Sequence, residues 1–376
     1  MNAPLTVLQS LPAAAAPLPY EPRFEVLEDG EAETCEQLVK TLLGISETTF
    51  KDCGHALRSV HAKSHGLLRG ELQVLPGLPQ RLAQGIFAHP GSWPLVMRLS
   101  TTPGDILDDS VSTPRSMAVK IVGVEGARLS GSADARTQDL VLVTGAAFGA
   151  PTAKKFLSSL KLLAHTTDKA PKLKNALSAV LRGTEKIVEA LGGESGTLKA
   201  IGGYPETHIL GETFYSQAPI LFGPYMAKVS VAPMSPELVK LIHSPFSVNG
   251  KPNGLREAVV AFFAAHSAEW EVRVQLCVDL VSMPIEDSSV PWPQELSPYQ
   301  AVARIMVPRQ LAWSEARSLA IDDGMSFSPW HGITDHRPIG SIMRVRKVAY
   351  QLSAKFRGDR NGQRMLEPQS LDHLPA

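Results

Sequence analysis

Two short segments carry the residue types that do chemistry. Arg58-Ser-Val-His61-Ala-Lys63 sets a histidine beside an arginine, and Arg346-Lys-Val-Ala-Tyr350-Gln-Leu-Ser-Ala-Lys-Phe-Arg357 sets a tyrosine between arginines four residues before it and seven after it. A neutral imidazole can take up and return a proton near neutral pH. Tyrosine ligates haem iron as a phenolate, and cations near its oxygen favour that form. At about 100° per residue, both arginine positions return to within about 40° of the tyrosine, so a helix projects all three side chains to one side. Arg357 starts about two turns further along, but long helical side chains lean toward the N-terminus and bring its guanidinium back. Read together, the segments form the two faces of one haem site. Read separately, Arg346, Lys347, Lys355 and Arg357 make a solvated basic face around a half-buried Tyr350.

The elements that must position these residues follow from periodicity. Residues 31 to 50 have a helical rhythm through Leu38, Leu42, Leu43 and Ile45, leading toward the histidine segment. Short apolar or alternating runs at Leu72–Leu75, Leu95–Ser100, Met117–Val122 and Leu140–Val143, separated by Pro/Gly turns, predict an antiparallel barrel. Residues 152 to 191 switch to helical spacing amid lysines and read as a helical insertion with a solvated face. Strand rhythm returns at Met226–Val231 and Glu269–Asp279, while Trp313–Arg317 is helical and Ser328–Gly332 a turn.

The two segments, with the blocks between them, resemble the haem catalase superfamily. Arg58-Ser-Val-His61-Ala-Lys-Ser-His-Gly66, followed by strand-like Gly70–Leu75, is similar to that family's distal histidine segment and first barrel strand. Arg98-Leu-Ser-Thr101, Pro114-Arg-Ser-Met-Ala-Val-Lys120, Pro284–Pro293 and Ala303–Pro308 resemble later blocks in the same order, so the likeness runs over about residues 45 to 362. It implies an α+β fold, a catalase-like antiparallel β-barrel core with surrounding helices, and haem b with its iron. Within it His61 is the distal acid/base, Ser100 sits next to it, Tyr350 is the proximal iron ligand and Arg346 its charge partner. Val60 borders the cofactor, and Arg58, Arg98 and Arg357 hold the propionates, for which planar guanidinium groups are suited. Ser353 stands where the family usually has threonine.

Two departures shape the functional reading. The family's distal asparagine should fall near Thr137-Gln-Asp139-Leu-Val-Leu-Val, where Gln138 or Asp139 takes its role or the role is absent. The stretch Gly202–Lys228 departs from the typical middle, and the chain is shorter than ordinary catalases. The resemblance is therefore to the minimal catalase-like branch, with its organic-substrate haem peroxidases and hydroperoxide-rearranging enzymes such as allene oxide synthases. The expected activity is a haem peroxidase reducing hydrogen peroxide or organic hydroperoxides with small organic donors. Alternatives are a true catalase, a lipid-hydroperoxide-rearranging enzyme and, in another class, a haem carrier or sensor.

Competing chemistry is weaker. His65 follows His61 by four residues without a zincin glutamate and reads as a turn or surface residue, while His55, His208, His331 and His336 read as structural. Gly123-Val-Glu-Gly-Ala lacks the full dinucleotide glycine pattern. Three cysteines without metal-ligand spacing suggest neither a disulfide framework nor zinc, and a reducing cytoplasm is the simplest setting. Zero formal net charge and a pI near 7.2 argue against nucleic acid or membrane surfaces as main partners and favour a small organic or lipid-like substrate. Residues 1–25 lack a basic n-region and read as a flexible arm; 26–376 is the haem domain, without a membrane span. The resemblance also implies a homo-oligomer.

Overall fold

The computed structural model describes residues 15–164 and 204–375. A long helix α1 (Glu31–Cys53) precedes four strands, β1 (Ser64–Val74), β2 (Ser92–Thr101), β3 (Arg115–Val122) and β4 (Thr137–Thr144). Helix α2 (Ala153–Ala164) follows, then β5 (Phe214–Tyr215), β6 (Ile220–Phe222), β7 (Tyr225–Pro233), helix α3 (Gly254–Ala265), β8 (Ala268–Leu276), β9 (Gln300–Val307) and helix α4 (Ser341–Asn361). Neighbouring strands run in the order β5-β4-β3-β2-β1-β9-β8-β7-β6, and β5 also pairs with β7. That second pairing closes eight antiparallel strands into a barrel, with β6 appended to β7. Closure satisfies the strand edges that an open sheet would leave exposed.

Alternation along β3 shows how the sequence produces both a core and a site. Met117, Val119 and Ile121 join Met97, Leu99, Leu140 and Leu142 in the barrel's main apolar cluster. Burying a side chain of this size contributes about 1.5–3 kcal/mol. The intervening Ser116, Ala118 and Lys120 turn to the other face because successive strand residues point to opposite sides. On that face Ala118 and Val141 pack with Leu67, Val96 and Phe327, and with Leu371 and Leu374 from the C-terminal segment.

Helix α4 lies against α1 and α2 through Leu38, Ile45, Leu157, Leu160 and Val345. Its start is clamped by Arg344, which reaches Glu31 at 2.6 Å and Glu286 at 2.9 Å. The helix ends at Gly362, whose φ of 63° is the left-handed conformation of a glycine C-terminal stop.

Several boundaries differ from the sequence expectation. β1 begins at Ser64 rather than Gly70, so His65 is a buried strand residue and not a turn or surface one. The helical insertion is described only as α2, and its remainder to residue 191 lies outside the described residues. Within the stretch read as an arm, Leu18 and Tyr20 donate backbone hydrogen bonds to Cys277 and Pro224, both at 2.8 Å. Leu18, Tyr20 and Phe24 pack on the cluster around Met226 and Trp292. No described helix is long and apolar enough to cross a membrane.

Candidate active site

The strand and helix segments singled out by sequence converge on one cavity. Arg58, Val60, His61, Arg98, Ser100 and Tyr350 all line it, together with Ser116 and the apolar Leu42, Met117, Ala118, Val141, Phe327 and Ala349. It encloses about 660 Å³ of free space, its mouth included. β2 and β3 supply one wall, the segment before β1 a second, and α4 the wall carrying Tyr350.

His61 is held in an unusual backbone conformation. Its φ is 58°, in the left-handed region that non-glycine residues rarely adopt, and such strain concentrates at functional positions. The surroundings over-determine it: the His61 and Ala62 amides donate to the carbonyls of Thr102 and Pro103 at 2.7 and 2.9 Å. Lys63 Nζ donates to Asp109 Oδ1 and the Leu107 carbonyl, each at 2.7 Å. Gly104 lets the loop close over this segment, since a Cβ there would lie 2.1 Å from the Ser59 carbonyl oxygen. Ser59 Oγ donates in turn to Ser353 Oγ on α4 at 3.2 Å, linking the histidine segment to the tyrosine helix.

The hydroxyl that engages the imidazole is Ser116 on β3, whose Oγ lies 2.6 Å from His61 Nδ1. Ser100 pairs with Ser116 across β2 and β3 and also lines the cavity, but the hydrogen bond to the imidazole is made by its neighbour. Burial, followed by the charges of Arg98, Arg346 and Arg58, pushes His61 down to about 3. Its imidazole is thus neutral across the ordinary pH range.

At the end of the cavity where Arg58 and Arg98 lie, three arginines gather around Asp322. Arg98 Nε donates to its Oδ1 at 2.6 Å and Arg58 Nη1 to the same oxygen at 3.2 Å. Arg357 and Arg58 both donate to the backbone carbonyls of Asp322 and Met325. Burial pushes Arg357 down to about 10, with Arg98's charge adding to the effect. Burial alone would raise Asp322, but Arg98 and Arg58 outweigh it and hold the carboxyl at about 2. Asp322 had no sequence signal of its own. It is set on a single π-helical turn, Leu319–Asp323, a local feature often found at functional sites.

Arg346 lies one helical turn before Tyr350 on α4. Its guanidinium stacks over the Phe148 ring at 5.2 Å, and its charge is felt at His61.

Neither Gln138 nor Asp139 reaches the cavity. Gln138 Oε1 accepts from the Ile333 amide at 3.0 Å. Asp139 accepts from Lys120 Nζ at 2.7 and 2.9 Å. The wall that β4 presents is the apolar Val141, so no amide side chain takes the expected distal place among the described lining residues. Asp139, His331 and Glu367 bring ligand atoms within 4.8 Å of one another. Lys120 Nζ already binds both carboxylates there, so the cluster carries its own cation. His336 is also structural, accepting from the Ile86 amide at 3.1 Å.

No protein-family model matches the sequence, and no curated protein is similar enough to align with it. Solved structures do resemble it. A fungal catalase is 15% identical with a TM-score of 0.57, the match covering 88% of this chain and 70% of the catalase. Catalase A from Saccharomyces cerevisiae is 17% identical with a TM-score of 0.57, over 83% of this chain and 63% of that one. A bacterial catalase is 15% identical with a TM-score of 0.55, over 96% of this chain and 67% of that one. The chain therefore spans about two thirds of the length of these neighbours and has a catalase-like α+β barrel fold.

Proposed function

We propose that the protein is a haem-dependent peroxidase that reduces hydrogen peroxide or organic hydroperoxides with small organic donors. The observation that carries this reading is the single cavity that His61 and Tyr350 share with Arg58 and Arg98. Its residues suit a tetrapyrrole with two carboxylates. Arg58 and Arg98 share the Asp322 carboxylate, Arg357 donates to the backbone carbonyls of Asp322 and Met325 beside them, and its buried Nε has no partner. A buried donor left unmade costs about 1–3 kcal/mol, which a bound anion would recover.

Arg58, Arg98 and Arg357 would hold the carboxylates, Val60 would border the ring, and Tyr350 would ligate the iron, with Arg346 adding positive charge. Bound there, haem supplies the iron at which the peroxide O–O bond is cleaved. His61 supports that cleavage by moving a proton. With Nδ1–H donating to Ser116 Oγ, Nε2 is left to take a proton from the near peroxide oxygen and return it to the leaving one. Val141 leaves the cavity without a distal amide to orient a second small peroxide, which favours an organic donor. The fold likeness to three catalases favours the second reading, disproportionation of hydrogen peroxide.

Haem titration followed by paired assays tests this. The wild-type protein is expected to give a Soret band that Tyr350→Phe shifts, and donor oxidation that outpaces oxygen release with either peroxide. An unchanged spectrum in the variant rejects Tyr350 as ligand, and oxygen release faster than oxidation of every donor selects the catalase reading.

A further inference from the structure

The Asp322 carboxylate touches two of the three arginines proposed to receive cofactor carboxylates, and nothing in the catalytic scheme uses it. Its two oxygens are divided. Oδ2 accepts from Ser64 Oγ at 2.7 Å and Ser318 Oγ at 2.8 Å, while Oδ1 faces Arg98 and Arg58 at 2.6 and 3.2 Å. The hydroxyls can keep Oδ2 solvated by the protein whatever becomes of the arginines. The backbone of the π-turn and of Met325 just beyond it makes separate bonds: the Ile321, Asp322 and Met325 carbonyls accept from Arg58, and the last two also from Arg357. Those carbonyls frame the guanidinium groups without any help from the Asp322 side chain. Asp323, the next acidic residue, is engaged by His55 Nε2 at 2.9 Å.

We propose that Asp322 is an internal stand-in for a cofactor carboxylate, holding the arginine cluster in the ligand-free protein and yielding part of its charge when a dicarboxylate tetrapyrrole enters. The inference rests on the haem reading and deepens it by naming the residue that sets cofactor affinity. Its sign follows from the charges. Three guanidinium groups face the Asp322 and Asp323 carboxylates, and Asp322→Asn raises the local positive charge by one while the carbonyl frame stays. Close charge pairs in desolvated sites couple strongly, so a ligand carboxylate freed from this competitor should bind about tenfold more tightly.

Metal-free protoporphyrin IX tests the carboxylate contacts without iron ligation or turnover, and its dimethyl ester serves as the uncharged control. By fluorescence titration of the full chain, Asp322→Asn should bind protoporphyrin IX about tenfold more tightly and the ester unchanged. If the variant does not fold alone, refolding should succeed with protoporphyrin IX present and fail with the ester. Unchanged or weaker binding of protoporphyrin IX, an equal change for both porphyrins, or no rescue by either overturns the assignment. Failure of the haem reading is separable: a wild-type chain that binds neither porphyrin nor haem removes both proposals, whereas porphyrin binding that Asp322→Asn does not strengthen removes only this one.

Discussion

Two polar assemblies occupy the same face of β3 and β4, two residues apart, and they handle charge in opposite ways. Lys120 and Asp139 are cross-strand partners, and with Glu367 and the imidazole of His331 they form a buried group in which cations and carboxylates match. Next to them along the strands, Ser116, Ala118 and Val141 line the cavity, at whose far end Arg58 and Arg98 share one aspartate carboxylate and Arg357 is held by backbone carbonyls. Compensated charge marks a structural assembly, because every member is satisfied within the protein. Uncompensated charge beside a cavity marks a place built for something else to complete it.

Substitution in the two regions should give opposite results. Lys120→Met takes the ammonium away from Asp139 and Glu367 and leaves His331 to face both carboxylates, and breaking a buried pair costs about 3–5 kcal/mol. Chemical denaturation should show that loss, with porphyrin binding retained in the folded fraction. Arg357→Met removes a guanidinium from a site with too many, so ligand-free stability should change by less than about 1 kcal/mol while porphyrin affinity falls. A Lys120→Met loss no larger than that of Arg357→Met would erase the distinction.

The pH dependence of stability sharpens it. Burial would depress His331, but hydrogen bonds to Asp139 and Glu367 outweigh that and raise it to about 9. Its folded form keeps the proton that the unfolded form releases, so this contribution is fully present below about pH 6.5 and is lost as pH rises through 9. His61, pushed down to about 3 chiefly by burial, has the opposite slope. Between about pH 3 and 6.5 the unfolded state binds the proton and the folded state does not, so stability rises with pH across that window. Each limb should amount to about 1–3 kcal/mol. Denaturation midpoints should lose the alkaline fall in His331→Gln and flatten the acid rise in His61→Gln; limbs that persist unchanged would reject the assignments.

What could be read from the sequence was local. His61 with Arg58, and Tyr350 with its arginines, sit within single segments whose spacing survives folding, and the alternation in β2, β3 and β4 shows directly which residues face the core. The barrel was legible for the same reason. What could not be read depends on register between distant strands. Ser100 and Ser116 lie opposite each other, and it is the folded position of His61 that shows Ser116 to be the hydroxyl meeting Nδ1. Asp139 was a reasonable substitute for a distal amide until the register paired it with Lys120, two positions short of the cavity. Asp322 lies more than 200 residues from its partner Arg98, so no spacing rule could join them.

The smallest effect follows from that choice between serines. Ser116→Ala removes the hydrogen bond that orients the imidazole, leaving the ring in its pocket but free to adopt the other tautomer. One such bond is worth about 0.5–1.5 kcal/mol, so turnover with a hydroperoxide should fall about three- to tenfold with the donor's KM unchanged. Ser116→Thr, which keeps a hydroxyl on the same strand face, should recover most of the loss. Ser100→Ala should stay within about twofold of wild type, because no hydrogen bond from Ser100 holds the ring. A purely structural role for Ser116 would instead lower stability without splitting turnover from KM, and an equal or larger loss in Ser100→Ala would return the orienting role to β2.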